Sequence, residues 1–105
     1  MLTQQVIDQA VRVLADAAQP RRIVLFGSHA RGDARADSDL DLLVVEDEVT
    51  DRAGEMVRLR RALRPLRIPV DILVASVEEV GSRGAQPGHV LYWALKEGCE
   101  VYGRP

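Results

Sequence analysis

IVLFGSHARGDARADSDLDLLVV, residues 23–45, decides how the chain is read. Ile23 to Phe26 is a short, continuous apolar run rich in β-formers and stopped by Gly27, which predicts a buried strand rather than a helix. Leu40 to Val45 is a second apolar run, but Asp39 opens it and Asp41 interrupts it. Aspartate is a poor strand former, so two of them one residue apart at the head of a strand call for a chemical reason. By period-two alternation, Asp39, Asp41, Leu43 and Val45 share one face of that strand, and Leu40, Leu42 and Val44 share the other. Between the runs, Gly27-Ser28 is a tight turn. The segment from Ser28 to about Ala34 is expected as a short helical turn whose first N–H groups are open to an anion. Asp33, Ala36, Asp37 and Ser38 complete the connection as loop.

Upstream, Val6, Ile7, Ala10, Val13, Leu14 and Ala17 recur at helical spacing, which predicts a helix over residues 3–18 with Thr3 as N-cap and Pro20 as its stop. Downstream, Glu46, Asp47 and Glu48 read as a solvated strand end. A second helix follows over residues 51–65, capped by Asp51 or Thr50, with Met56, Leu59, Leu63 and Leu66 on one stripe. Pro69 introduces a third strand, Val70 to Ala75, in which Asp71 breaks an apolar run. Ser76 and Glu79 form a capping-box pattern for a short helix, and the breaker-rich stretch Gly81 to Gly88 is expected as a mobile loop. Residues 89–97 predict a last helix closed by Gly98, and Glu100 to Tyr102 a terminal edge strand. This alternation gives an α/β (α+β) fold: a small mixed sheet of three to four strands with helices packed on it, in a single domain over residues 1–105.

Composition narrows the function. The formal net charge is −2, which argues against a dedicated nucleic-acid binder but leaves room for a small anionic substrate if a metal supplies the positive charge. No apolar run is long enough to span a membrane, the N-terminus lacks a signal-peptide pattern, and a lone cysteine suits a reducing compartment, so a cytoplasmic location is expected. Cys99 itself reads as a small apolar filler.

If the phosphate-holding turn at Gly27-Ser28 is to meet a metal on Asp39 and Asp41, the end of the first strand and the start of the second must be neighbours, which makes those strands antiparallel. A third strand parallel to the second then brings Asp71 beside Asp39 and Asp41. Three carboxylates so close repel one another, and Mg²⁺ resolves the conflict because it takes hard oxygen ligands from a few carboxylates together with substrate phosphates. Gly27 allows close backbone approach, Ser28 adds a hydroxyl donor, and the forked guanidinium of Arg31 could reach the same phosphates.

Gly27-Ser28-x-Ala30-Arg31-Gly32 followed by Ser38-Asp39-x-Asp41-Leu42 resembles the signature of the minimal nucleotidyltransferases, members of the DNA polymerase beta-like nucleotidyltransferase superfamily. The resemblance covers both halves of the motif and its spacing, with Asp71 as a candidate third carboxylate. It implies the polymerase beta-like fold and an enzyme that moves a nucleoside monophosphate, most simply AMP from ATP, onto a hydroxyl. Carried over, Asp39, Asp41 and Asp71 are the catalytic and metal-binding residues, for two Mg²⁺ ions with Mn²⁺ as a substitute. Gly27, Ser28, Arg31 and Ser38 are the nucleotide-phosphate contacts. Minimal nucleotidyltransferases are often encoded beside a helical HEPN-type protein, act as its antitoxin, and some place AMP on a tyrosine of that toxin. The resemblance therefore implies a HEPN partner that is also the acceptor, and a homo-oligomer is left open.

Each assignment competes with a plainer one. Asp39 and Asp41 could be an exposed strand start, Asp71 a solvated strand end, Gly27-Ser28 a bare turn, and Arg31 the structural partner of Asp33 or Asp37. His29 is expected to be solvent-exposed and His89 structural. The arginines from Arg58 to Arg67 suggest a strip for RNA, but a solvated helix face gives the same pattern and stacking aromatics are missing nearby. Tyr92, Trp93 and Tyr102 are expected in the core, with any exposed subset forming a partner surface. Two other functions are weighed against protein AMP transfer: a binding subunit that neutralises a HEPN protein by occlusion alone, and transfer to a small molecule of the aminoglycoside type.

Overall fold

A computed structural model describes residues 2–104. Helix α1 spans Gln4–Ala18, with the Thr3 hydroxyl accepting from the Val6 N–H as N-cap. It is followed by strand β1 (Arg22–Phe26), the single turn α2 (Ser28–Arg31), and strand β2 (Leu40–Glu46). Helix α3 (Arg52–Leu63) is capped by Asp51 and tightens into a 3₁₀ turn at Arg64–Leu66, where Pro65 ends the regular helix. Strand β3 (Val70–Ser76), helices α4 (Val77–Arg83) and α5 (Val90–Glu97), and strand β4 (Cys99–Gly103) complete the chain.

The sheet order is β3-β2-β1-β4. β1 runs antiparallel to β2, with Phe26 opposite Asp41, and antiparallel to β4 on its other side. β2 and β3 are parallel and in register from Leu40 opposite Val70 to Glu46 opposite Ser76, with α3 as the crossover. Alternation then sorts the side chains. Leu40, Leu42 and Val44 join Leu14, Leu59, Leu63 and Ile72 in the larger core, under α1 and α3. Leu43 and Val45 join Val24, Ala75, Leu91 and Ala94 in a smaller one, under α5. Each such fully buried leucine contributes about 2 kcal/mol over an exposed one.

This second layer is what exposes the site. α5 covers the sheet over Leu43 and Val45, one and two alternations along β2 from Asp41. At the start of β2, Phe26 and Asp41 are only half-buried.

Four local expectations are corrected. The capping box of Ser76 and Glu79 forms, but the helix it starts carries on through Gly81, Ser82 and Arg83, so the loop is confined to the residues beyond. The box satisfies two N-terminal donors, the Ser76 and Glu79 N–H groups, and the helix propagates past one glycine at a cost of only about 1 kcal/mol. Cys99 is exposed, because β4 is an edge strand with little over its start. Trp93 is 48% exposed and stacks edge-on against Tyr92 at 5.1 Å, with Lys96 over both rings, so α5 places its largest aromatic outward.

Glu46 is the fourth. It is half-buried against α3, and its Oε2 is shielded from solvent without a hydrogen-bond partner among the described residues. Burial, and then the neighbouring Glu55, push its carboxyl up to about 7, where it can keep its proton and donate to Glu55. Glu55 is held low chiefly by Arg58, at 2.7 Å. Because the folded-state value lies above the ordinary 4.5, the folded chain binds this proton more tightly than the unfolded chain. Stability therefore falls as pH rises from about 4.5 to about 7. Glu46→Gln, which keeps a donor toward Glu55, is expected to flatten that part of the melting-temperature profile. It should stabilise the protein above neutrality by about 1 kcal/mol, allowing for solvent screening. An unchanged slope in thermal melts across this range would count against the buried carboxyl pair.

Candidate active site

Gly27 has φ +75°, a conformation that side chains with a Cβ rarely adopt, and it turns the chain from β1 directly into α2. The carbonyl of Gly27 accepts from the Ala30 and Arg31 N–H groups. The N–H groups of Ser28 and His29, at the open start of this turn, have no partner among the described residues. A Cβ on Gly27 would collide with Oδ2 of Asp41 and lie 3.0 Å from its Cγ. The missing side chain thus lets the Asp41 carboxylate lie against the turn.

Asp41 and Asp71 are direct cross-strand partners, so the parallel register sets the two carboxylates side by side on one face. Burial first, then Asp71 and Asp39, push the Asp41 carboxyl above its ordinary range, while His29 and Arg31 pull it back. Asp39 is exposed, one residue before β2. Among the described residues, no three acidic, histidine or cysteine side chains close into a ready cage for a cation. The Asp71 side chain is 66% exposed and its Oδ1 lies 3.9 Å from Arg60. Asp71 thus faces Asp41 on one side and Arg60 on the other. An open site of this kind suits a cation that takes its remaining ligands from a substrate.

The other sequence candidates have partners within the protein. Arg31 pairs with Glu97 at the end of α5 at 3.1 Å and with Asp33 at 3.3 Å. The Ser38 hydroxyl accepts from the Arg35 N–H at 2.8 Å, closing the turn before Asp39. His29 is half-buried rather than exposed, with Nε2 3.3 Å from the Ser38 carbonyl oxygen, so it ties α2 to the start of β2. His89 is structural as expected: its Nδ1 accepts from the Leu91 N–H at the start of α5. Arg58 drops out of the arginine strip as well, since it is spent on Glu55 and the Ala17 carbonyl. Sequence reading missed Arg60 and Glu97 as neighbours of the site. Nothing local signals either, because each arrives from a distant helix.

A mixed sheet carrying a glycine–serine turn and paired aspartates at adjoining strand ends defines a nucleotidyl-transfer fold. A family model described as the nucleotidyltransferase domain matches residues 7–83, and the chain belongs to that family. Among solved structures, it is similar to a candidate nucleotidyltransferase from Sulfolobus solfataricus, with a TM-score of 0.67 and 23% identity over 95% of this chain and 79% of that one. It is similar also to a toxin–antitoxin complex with AMP-PNP, with a TM-score of 0.68 and 22% identity over 98% of this chain and 75% of that one. A third likeness is to a complex of the tri-AMPylated Shewanella oneidensis HEPN toxin with its MNT antitoxin, with a TM-score of 0.64 and 17% identity over 98% and 74% of the two chains. At these identities the likeness shows the fold. No curated protein matches the sequence.

Proposed function

We propose that the protein transfers AMP from ATP to a hydroxyl of a partner protein, and that the partner is a helical HEPN-type toxin which the modification silences. The observation that carries the reading is the pairing of Asp41 with Asp71 in parallel register, with Gly27 packed against Asp41. Membership of the nucleotidyltransferase family supports the chemistry. The similarity to an MNT antitoxin bound to an AMPylated HEPN toxin supports the partner.

The donor set fits a hard divalent cation. Asp41 is already held above its ordinary range by burial and two neighbouring carboxylates, and oxygen ligands of this type suit Mg²⁺. Asp39, Asp41 and Asp71 would hold it, and when bound it would neutralise phosphate charge and activate the attacking oxygen. The Gly27-Ser28 turn would take the β- and γ-phosphates on the open Ser28 and His29 N–H groups and the serine hydroxyl, with Gly27 allowing the close approach. Arg31 would join them by exchanging Asp33 for a phosphate while Glu97 keeps it in place. Ser38 would act through the turn that sets Asp39. The acceptor oxygen attacks the α-phosphorus, its proton passes to an Asp71 carboxylate oxygen, the bond to the bridging oxygen breaks, and pyrophosphate leaves. Holding the groups in line and offsetting their charge supplies most of the acceleration.

The test is to incubate the protein with α-labelled ATP, Mg²⁺ and the product of the adjoining gene. Label is expected on that product, and not when EDTA is present. Neutralisation of the partner with no label on it would assign occlusion instead. Label on an added aminoglycoside would assign a small-molecule acceptor.

A further inference from the structure

Among the described residues, seven of the thirteen arginines form ion pairs: Arg21, Arg22, Arg31, Arg52, Arg58, Arg60 and Arg104. Arg64 and Arg67 have neither an ion pair nor a side-chain hydrogen bond among the described residues. Together with Arg60 they line a cleft of about 510 Å³ that opens beside Asp39 and has Leu63 and Ile68 in its wall. Arg60 joins the cleft to the site, since its guanidinium also reaches Asp71 at 3.9 Å. Arg67 sits at φ +52°, where glycine or asparagine is the economical choice, and its N–H caps the 3₁₀ turn on the Arg64 carbonyl. A guanidinium is thus kept at a backbone position that disfavours it, beside two others and against one carboxylate.

The cleft lies on the α3 and β3 side of Asp39, whereas the Gly27-Ser28 turn lies on the β1 side of Asp41. In-line displacement puts the attacking oxygen opposite the leaving group. With pyrophosphate leaving toward Gly27-Ser28, the acceptor enters from the cleft side. We infer that the cleft formed by Arg60, Arg64 and Arg67 docks an acidic polypeptide segment that carries the acceptor hydroxyl. Acidic side chains answer the three guanidiniums and an apolar residue answers Ile68. The cleft offers no aromatic ring for base stacking, which favours a peptide over a single-stranded nucleic acid. The word acceptor rests on the transfer reading; the docking itself does not.

The test measures anisotropy of fluorescein-labelled Glu-Glu-Tyr-Leu-Glu-Glu with the full chain and no ATP, beside the Gln-for-Glu peptide and a ten-nucleotide oligoadenylate. Selective, salt-sensitive binding of the acidic peptide is expected. The double variant Arg64→Gln/Arg67→Gly should weaken it by tenfold or more. Glycine relieves the left-handed backbone at residue 67, so the melting temperature should hold, and ATP binding should be unchanged. The proposal is overturned by equal binding of the Gln peptide, by preference for the oligoadenylate, by a double variant that binds the acidic peptide normally, or by one that loses ATP binding. Because ATP is left out, a failure here leaves the transfer reading standing, and absent transfer leaves peptide binding measurable.

Discussion

Asparagine at Asp41 abolishes nucleotide transfer and raises the melting temperature of the metal-free protein. These expected results have opposite signs and a single cause. Burial and the charges of Asp71 and Asp39 disfavour an ionised Asp41. A carboxyl raised in the folded state costs stability above its folded value and costs nothing below its unfolded one. At neutral pH the asparagine removes that cost, so the metal-free variant melts higher. The same substitution removes a hard anionic ligand. Losing several kcal/mol of charge stabilisation slows transfer by about 10³-fold or more. Asp39→Asn should cost as much in transfer while changing stability less, because that side chain is exposed. Mg²⁺ should raise the melting temperature of the native chain and leave Asp41→Asn almost unmoved. Retained transfer, or a variant that melts lower, would sink the assignment.

Gly27→Ala should lower transfer by about 10²-fold while the protein still folds. The new Cβ would meet Asp41, lying 3.2 Å from its Cβ and overlapping its Oδ2, so the carboxylate must move. A displacement near 1 Å at a reacting centre costs about that factor. The backbone at φ +75°, ψ −155°, which essentially only glycine adopts, adds about 1–3 kcal/mol of strain. Gly32→Ala is the control. Its φ is +83°, yet a Cβ there meets nothing within 4 Å. Its backbone is left-handed helical, so it should lose about 1–2 kcal/mol of stability and keep its transfer rate. If both variants lose transfer equally, loop strain rather than contact with Asp41 is responsible.

The strands and long helices were legible because their signals are local. Apolar runs, Thr3, the capping box and Gly98 each specify a boundary within a few residues. The antiparallel pairing of β1 with β2 and the parallel pairing of β2 with β3 are the arrangement that brings Asp39, Asp41 and Asp71 to one edge of the sheet, so the three aspartates carry the topology. What stayed hidden depends on partners distant in sequence. Arg31 and Glu97 are joined across sixty-six positions. Glu46 looked like part of an acidic strand end, and only the docking of α3 buries it against Glu55. Similarly, nothing near Asp71 announces Arg60. Side-chain pairing between elements has no periodicity to read.

The sheet order has a further meaning for the working lifetime of the site. Asp41 lies on β2, an interior strand held on both sides, while Asp71 lies on β3, one of the two edge strands. Peripheral strands open more often than interior ones, with less free energy than global unfolding. Each such opening withdraws the third carboxylate and leaves the first two in place. On the proposed reading, catalytic competence would follow the local opening equilibrium of that edge strand rather than the stability of the whole molecule. A partner that clamped β3 would raise the competent fraction without touching the substrate.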